Sequence, residues 1–240
     1  MTYGLCKLSI VPLRGQAKHS SEMVTQLLWG ECYEVLEQKK EWLKIRCYFD
    51  GYEAWLDRKQ HTPISTQQWQ EYTQCQTFCP LAVENLANAQ QYRLLGSPIL
   101  DIKDDSNDFE QASLADKQTQ LEESALLFLN TPYLWGGRSV FGVDCSGYMQ
   151  LIYRLIGLLL PRDAYQQAEI GQAIDFGQQK LGDLAFFANE KGRITHVGMI
   201  WSDGQIIHAS GKVRIDILDS KGIKVGEEYS HQLAYLKRVL

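Results

Sequence analysis

FGVDCSGYMQLIYRLIG, Phe141 to Gly157, decides how the second half of this chain is read. One cysteine stands among small and polar residues, and behind it Tyr148, Leu151, Ile152, Leu155 and Leu158 recur at helical spacing. The pattern predicts a helix with one buried face that begins at Asp144-Cys145-Ser146-Gly147 and carries Cys145 in its first turn. Unpaired backbone N–H groups and the positive end of the helix dipole meet there, and both lower a thiol pKa. Cys145 is therefore a candidate nucleophile. A packed, inert thiol is the competing reading of the cysteine taken alone.

Downstream, LGDLAFFAN, THVGMIW, QIIHAS and VRIDIL read as strands, with YLKRVL as one more. Upstream, Leu121, Ala125, Leu126, Phe128 and Leu129 fit a helix that Pro132 and Gly136-Gly137 terminate. Helices first and strands afterwards indicate an α+β domain and not a parallel doubly wound one. His196 and His208 fall on adjoining strands joined by Ser202-Asp203-Gly204. A three-residue loop with Gly204 left-handed faces Trp201 with Gln205 and sets His208 opposite Gly198. The two histidines then share a face, about 7–8 Å apart along the backbone. A two-residue Asp203-Gly204 turn places them on opposite faces. Each histidine alone reads as a satisfied structural residue; with Cys145 they make a nucleophile, a general base and an orienting group.

The first half is different. LCKLSIVPL, ECYEVLEQ, WLKIRCYF and YEAWLD are short β-like runs separated by turn-forming stretches, which predicts a small barrel. Residues 61–116 are rich in Gln, Asn, Asp and Ser and read as a connection that partly completes the first domain. A chain of 240 residues accommodates two such domains, here divided as 1–110 and 111–240. The net charge of −5 argues against a nucleic-acid partner, since phosphate neutralisation needs a basic face. LIYRLIGLLL at 151–160 is too short to span a bilayer and carries Arg154, so no membrane segment is expected. The N-terminus has no apolar leader pattern, and a cytoplasmic location is the expectation. The six cysteines have no repeated spacing and read as reduced thiols. Cys75 and Cys79 lack a second ligand pair, so no metal is expected.

PYLWGGRSVFGVDCSGYMQLIYRLIGLLLPRDAYQQAEIG, then LGDLAFF, HVGMI and IIHAS, in that order, resembles the NlpC/P60 cysteine peptidases over roughly residues 120–240. SIVPLRGQAKHSSEMVTQLLWGECYEVLEQKKEWLKIRCYFDGYEAWLD is similar to a bacterial SH3-like domain. Together they resemble the γ-D-glutamyl-L-diamino acid endopeptidases that cut murein peptides. The resemblance implies an SH3-like β-barrel followed by a papain-like domain with helices packed on an antiparallel sheet. It makes Cys145 the nucleophile, His196 the base and His208 the group that orients His196, with no metal or cofactor.

The same resemblance places Trp135, Asp144 and Ser146 along the substrate cleft, although a Trp beside Gly-Gly also packs and an Asp at a helix start is a common cap. Asp163 matches the residue that binds the free amino group of an N-terminal L-alanine, while Ala164 replaces the serine that accompanies it. Glu22 and Tyr52 are candidates for reaching into the cleft from the first domain; a solvated Glu and a half-buried barrel Tyr are the alternatives. The implied activity is hydrolysis of the γ-D-glutamyl to diamino-acid bond in murein peptides bearing a free L-alanine, in wall recycling or turnover. A non-catalytic wall-peptide binder, or an acyltransferase or amidase on the same scaffold, are the competing readings.

Overall fold

The computed structural model describes residues 2–86, 91–100 and 113–240, so the expected domain boundary at 110/111 lies outside the described residues. The N-terminal part contains β1 (Thr2–Leu5), β2 (Ile10–Arg14), β3 (Met23–Leu28), β4 (Cys32–Lys39), β5 (Trp42–Cys47), β6 (Glu53–Asp57) and β7 (Thr62–Ile64) in the order β3-β2-β6-β5-β4-β1-β7. Alternate residues point inward, so Val11, Leu13, Leu27, Ile45 and Leu56 pack around Tyr33. The run LCKLSIVPL divides into two strands. At Cys6 the backbone turns aside, donating to Glu31 O at 2.9 Å and accepting from Gly30 N–H at 2.8 Å.

Part of the polar connection belongs to this barrel, because β7 pairs with β1. Helix α1 (Thr66–Tyr72) follows, opened by a Ser65/Gln68 capping box, and its Trp69 stacks on Tyr3 with centroids 4.2 Å apart. A short hairpin pairs β8 (Val83–Leu86) with β9 (Gln91–Leu94).

In the second part, α2 (Leu114–Leu126) starts at a Ser113/Asp116 capping box and buries Leu121 and Ala125. It ends before the predicted Leu129. Asn130 takes a left-handed φ of 69° and donates to Val213 O, which pulls the chain away towards the later sheet and leaves Leu126, Leu127 and Leu129 exposed. A small hairpin, β10 (Arg138–Ser139) and β11 (Gly142–Val143), leads into α3 (Cys145–Leu155), and α4 (Ala164–Gln167) lies beyond it. Every residue of α3 is buried.

The remaining strands are β12 (Gln172–Ile174), β13 (Leu184–Ala188), β14 (Ile194–Ser202), β15 (Gln205–Ser210), β16 (Lys212–Asp219), β17 (Gly222–Val225) and β18 (Glu228–Arg238). They are antiparallel, in the order β12-β18-β13-β14-β15-β16-β17, and β17 also pairs with β18. Six of them therefore close on themselves. Phe187, Ile200, Ile206, Ile223 and Leu236 fill one face of this ring, while Phe186, Val197 and Met199 pack with α3 on the other. Strands β12 and β17 have no counterpart in the sequence reading, and β18 extends well before YLKRVL.

The β14–β15 register is the expected one, reached by a different route. Gly198 faces His208, yet Ser202 pairs with Gln205 across a two-residue Asp203-Gly204 turn. An irregularity between Ile200 and Ser202 leaves Trp201 out of the pairing and restores the phase that the short turn would have reversed.

The two parts meet through buried polar contacts. Glu31 accepts from Arg138 Nη2 at 3.1 Å and from Arg154 Nη1, and Arg138 also donates to Gln26 O at 2.7 Å. Arg162 Nε donates to Thr25 Oγ1 at 2.9 Å, and Gln150 Nε2 to Asp50 Oδ2 at 3.0 Å. Among the described residues no helix is long and apolar enough to cross a membrane.

Candidate active site

Asp144 is the N-cap of α3. Its Oδ1 accepts from Gly147 N–H at 2.7 Å and its Oδ2 from Gly136 N–H at 2.9 Å, while Arg162 donates to both oxygens at 3.0 and 2.5 Å. The carboxylate is thus occupied in holding the loop, the helix start and Arg162 together. Gly147 is required for that closeness, since a Cβ there would lie 2.3 Å from Gly137 O. Gly136 has a φ of +76°, and a Cβ on it would meet Met23 O of β3 at 2.3 Å. Ser146 accepts from Arg162 Nη1 at 2.9 Å, so its hydroxyl is also engaged.

Cys145 opens on a cavity of about 560 Å³. Trp135, Asp144, Ser146, Asp163, Tyr52 and Glu22 are among the residues that line it. Glu22 lies at the exposed rim, where its Oε1 accepts from Trp135 Nε1 at 2.5 Å. A separate cavity of about 400 Å³ contains Cys32 and Cys75, but no histidine lines it among the described residues.

His196 follows a register shift in the β13–β14 pairing, with Phe187 opposite His196 and Ala188 opposite Ile194. Bulges of this kind re-aim side chains beside active sites. His196 Nε2 is 2.8 Å from His208 Nδ1, and His208 Nε2 is 2.8 Å from Asp216 Oδ2. The cavity at His196 and the cavity at Cys145 share Tyr133 and Thr195 as common wall. His231 of β18 stacks on His196 with centroids 4.1 Å apart.

Burial dominates the electrostatics. It pushes the Cys145 thiol up to about 12, with the Asp144 charge adding to the effect, while the Val197 and Ser146 backbone at the sulfur opposes it. Burial, then the neighbouring His231 and His208 rings, hold His196 well below the usual imidazole range. The expected lowering of the thiol pKa is therefore reversed in the free protein: thiol and imidazole are both neutral. Asp163 is raised by burial and by the nearby Asp144 and Asp50 charges, against the pull of Arg162. A cation entering beside Asp163 would relieve that crowding of negative charge.

Comparison with known proteins bears directly on this arrangement. Residues 130–230 match the NlpC/P60 family, and residues 13–60 match the bacterial dipeptidyl-peptidase SH3 domain. The γ-D-glutamyl-L-lysine dipeptidyl-peptidase of Bacillus subtilis (strain 168) is 30% identical over 214 residues, covering 77% of this chain and 71% of that protein. The chain belongs to the NlpC/P60 family. A second protein of the same name, from Bacillus cereus, is 29% identical over 91% of this chain and 77% of its own length. The fold agrees with the crystal structure of an NlpC/P60 family protein from Bacillus cereus at a TM-score of 0.78 and 22% identity, covering 98% of this chain and 99% of the other.

In this NlpC/P60 chain the structure brings Cys145, Trp135, Asp144, Ser146, Asp163, Tyr52 and Glu22 to one cavity and joins His196 to His208 beside it. The sequence reading passed over Tyr133, Arg162, Asp216 and His231. Tyr133 and Arg162 lie inside the quoted motifs, in PYLWGG and PRDAYQQ, but nothing in their spacing marks them. Among the described residues, no group of three or more His, Cys, Asp or Glu could hold a metal ion.

Proposed function

We propose that the chain is a cysteine endopeptidase that hydrolyses the γ-D-glutamyl to diamino-acid bond of short murein peptides bearing a free N-terminal L-alanine. The observation that carries this reading is the cavity itself: Cys145 opens on it from α3, and Asp163 and Glu22 bring carboxylates from both domains to its walls. A peptide ammonium fits there as a counter-ion, and an acylated or glycan-linked alanine does not.

Cys145 is the nucleophile. With His196 Nε2 taken by His208, the other ring nitrogen, Nδ1, is the one left for the sulfur. The S–H proton passes to Nδ1, the sulfur electron pair attacks the γ-carbonyl carbon, and the C–N bond breaks as the proton returns to the departing amine. Water then resolves the acyl-enzyme by the same proton path. Asp144 and Arg162 hold the helix start, and Tyr52 narrows the end at which the L-alanine sits. The loss of the family serine at Ala164 removes one hydroxyl acceptor, but the charge-assisted contact of Asp163 is the stronger of the two.

The names of the Bacillus relatives specify L-lysine as the diamino acid. Incubation with L-Ala-γ-D-Glu-L-Lys and L-Ala-γ-D-Glu-diaminopimelate, each with a free or acetylated alanine, tests the reading by mass spectrometry of the products. Release of L-Ala-γ-D-Glu from the free peptides alone is expected; equal cleavage of the acetylated ones rules out recognition of the amino terminus. Products joined to an added amine would indicate acyl transfer.

A further inference from the structure

Three side chains on three consecutive strands form a continuous line: His196 on β14, His208 on β15 and Asp216 on β16. The line ends at Arg214, whose Nη2 donates to Asp216 Oδ1 at 2.7 Å while Asp216 Oδ2 faces His208 Nε2 at 2.8 Å. The His208 side chain is 1% exposed and that of Asp216 9%, and both line a cavity of about 310 Å³ with Arg214. We propose that Asp216 is a positioning residue that sets which nitrogen of each histidine carries the proton, and that Arg214 fixes Asp216 for that task. The proposal rests on the reading of His196 as the base.

The argument is a count of donors and acceptors. An ionised carboxylate can only accept, so the nitrogen it faces, His208 Nε2, carries a proton. A neutral imidazole has one such nitrogen, so His208 Nδ1 is bare and accepts. Its partner at 2.8 Å, His196 Nε2, must then be the donor. His196 Nδ1 is left without a proton, which is the state a base needs before it takes one from a thiol. Both assumptions of charge are supported. Burial opposes ionisation of Asp216, but hydrogen bonds from Arg214 and His208 outweigh it and keep its carboxyl below the usual range. Burial lowers His208 despite the pull of Asp216, so its ring stays neutral.

Reversing one member of the line should reverse all of them. In Asp216→Asn, Arg214 selects the amide oxygen, because it can only donate, and turns the amide NH₂ towards His208. His208 Nε2 must then accept, Nδ1–H must donate, and His196 is left with its proton on Nδ1, facing the thiol as a donor. The shape is nearly unchanged; the protons are in the wrong places. Removing Arg214 as well frees the amide to rotate and to offer its oxygen to His208 again.

The test is made on the full-length protein. The ¹⁵N shifts of labelled histidine separate protonated from bare ring nitrogens, and they need no substrate. The unmutated protein is expected to carry protons on Nε2 of both His196 and His208, and Asp216→Asn to carry them on Nδ1 of both. With L-Ala-γ-D-Glu-L-Lys, Asp216→Asn should lower kcat at least about a hundredfold with KM nearly unchanged, as wrong-tautomer variants of catalytic histidines do. Arg214→Met, which leaves Asp216 ionised but without its anchor, should lower kcat less than Asp216→Asn does, and Arg214→Met/Asp216→Asn should exceed Asp216→Asn alone. A proton on Nδ1 of His208 in the unmutated protein overturns the proposal. So does an Asp216→Asn variant with unaltered tautomers, or a double variant no faster than the single one. An unmutated protein that shows the expected tautomers but cuts no peptide would instead refute the peptidase reading and leave the proton pattern standing.

Discussion

Trp135, on the loop before α3, donates its indole N–H to Glu22 of the N-terminal barrel at 2.5 Å, and both residues line the Cys145 cavity. It holds a carboxylate of one domain against the catalytic loop of the other. The Asp163 and Glu22 end of the cavity is therefore built from both domains.

Charge at that end should decide which peptides are cut. Asp163→Ala removes the acceptor for a substrate ammonium and should lower kcat/KM for the free peptide by roughly a hundredfold, less than for a fully enclosed ion pair because the cavity is open to water. Glu22→Gln keeps an acceptor for Trp135 and should cost about tenfold. Both changes should narrow the preference for free over acetylated peptides, as measured with the two substrates side by side. An unchanged preference in Asp163→Ala would remove that residue from recognition.

The neutral state of the Cys145 and His196 pair has a consequence for pH. Lowering the pH places a proton on His196 and removes the base, but its depressed pKa delays this loss until well below the usual imidazole range. Raising the pH withdraws no proton from the imidazole, because none has been added. Peptidase activity should therefore persist to about pH 9 and beyond, where a preformed thiolate–imidazolium pair would fail. Iodoacetamide labelling of Cys145 in the free protein should be slow at neutral pH and still rising in alkali, consistent with a thiol pushed up to about 12. A labelling rate that is already level at neutral pH would contradict a neutral pair.

The same histidines link folding to acidity. His196 and His208 are depressed mainly by burial, and His231 falls from 6.5 to about 4 for the same reason. Above pH 6.5 neither folded nor unfolded chain protonates them. Below it the unfolded chain binds protons that the native state refuses, so their contribution to stability is lost as the pH falls from about 6.5 towards 4. Asp163 and Asp50, whose carboxyls are raised by burial, act with the opposite sign. His231→Phe keeps a stacked ring that cannot titrate, and its urea midpoint should fall less steeply across this interval than that of the unmutated protein. Parallel curves would exclude His231 from the linkage.

Glu31 answers two buried guanidinium groups, Arg138 and Arg154, which with burial opposing them still hold its carboxyl below the usual range. Glu31→Gln keeps the shape and leaves both cations without their counter-charge. The cost should be about 3–5 kcal/mol of unfolding free energy, read from urea denaturation. A loss below about 1 kcal/mol, the level of an exposed pair, would mean that water reaches this joint.

Much of this architecture was legible because local signals agreed with the global fold. The periodicity behind Cys145 and the alternation in THVGMIW and QIIHAS each follow from a few neighbouring residues. The loop arithmetic shows the limit. A three-residue loop predicts Gly198 opposite His208, and the same pair forms through a shorter turn and an unpaired Trp201, which no propensity records. Asp216 and Arg162 were illegible for another reason. Their roles depend on partners eight and eighteen positions away whose approach is set by strand order and by the fold of the loop after α3. The helix start at Cys145 is visible in sequence, whereas the depth of burial that raises its thiol is not.

Gly136 carries a tight constraint between the halves of the molecule. Its Cα rests so close to Met23 O on β3 that no side chain fits, and the catalytic loop takes its course from that strand. The opening beside Cys145 is consequently framed by both domains, which buried ionic contacts of Glu31 with Arg138 and Arg154 join. Any peptide that reaches the sulfur meets a wall built by both domains, with Tyr52 and Glu22 from the barrel and Trp135 and Asp163 from the later fold.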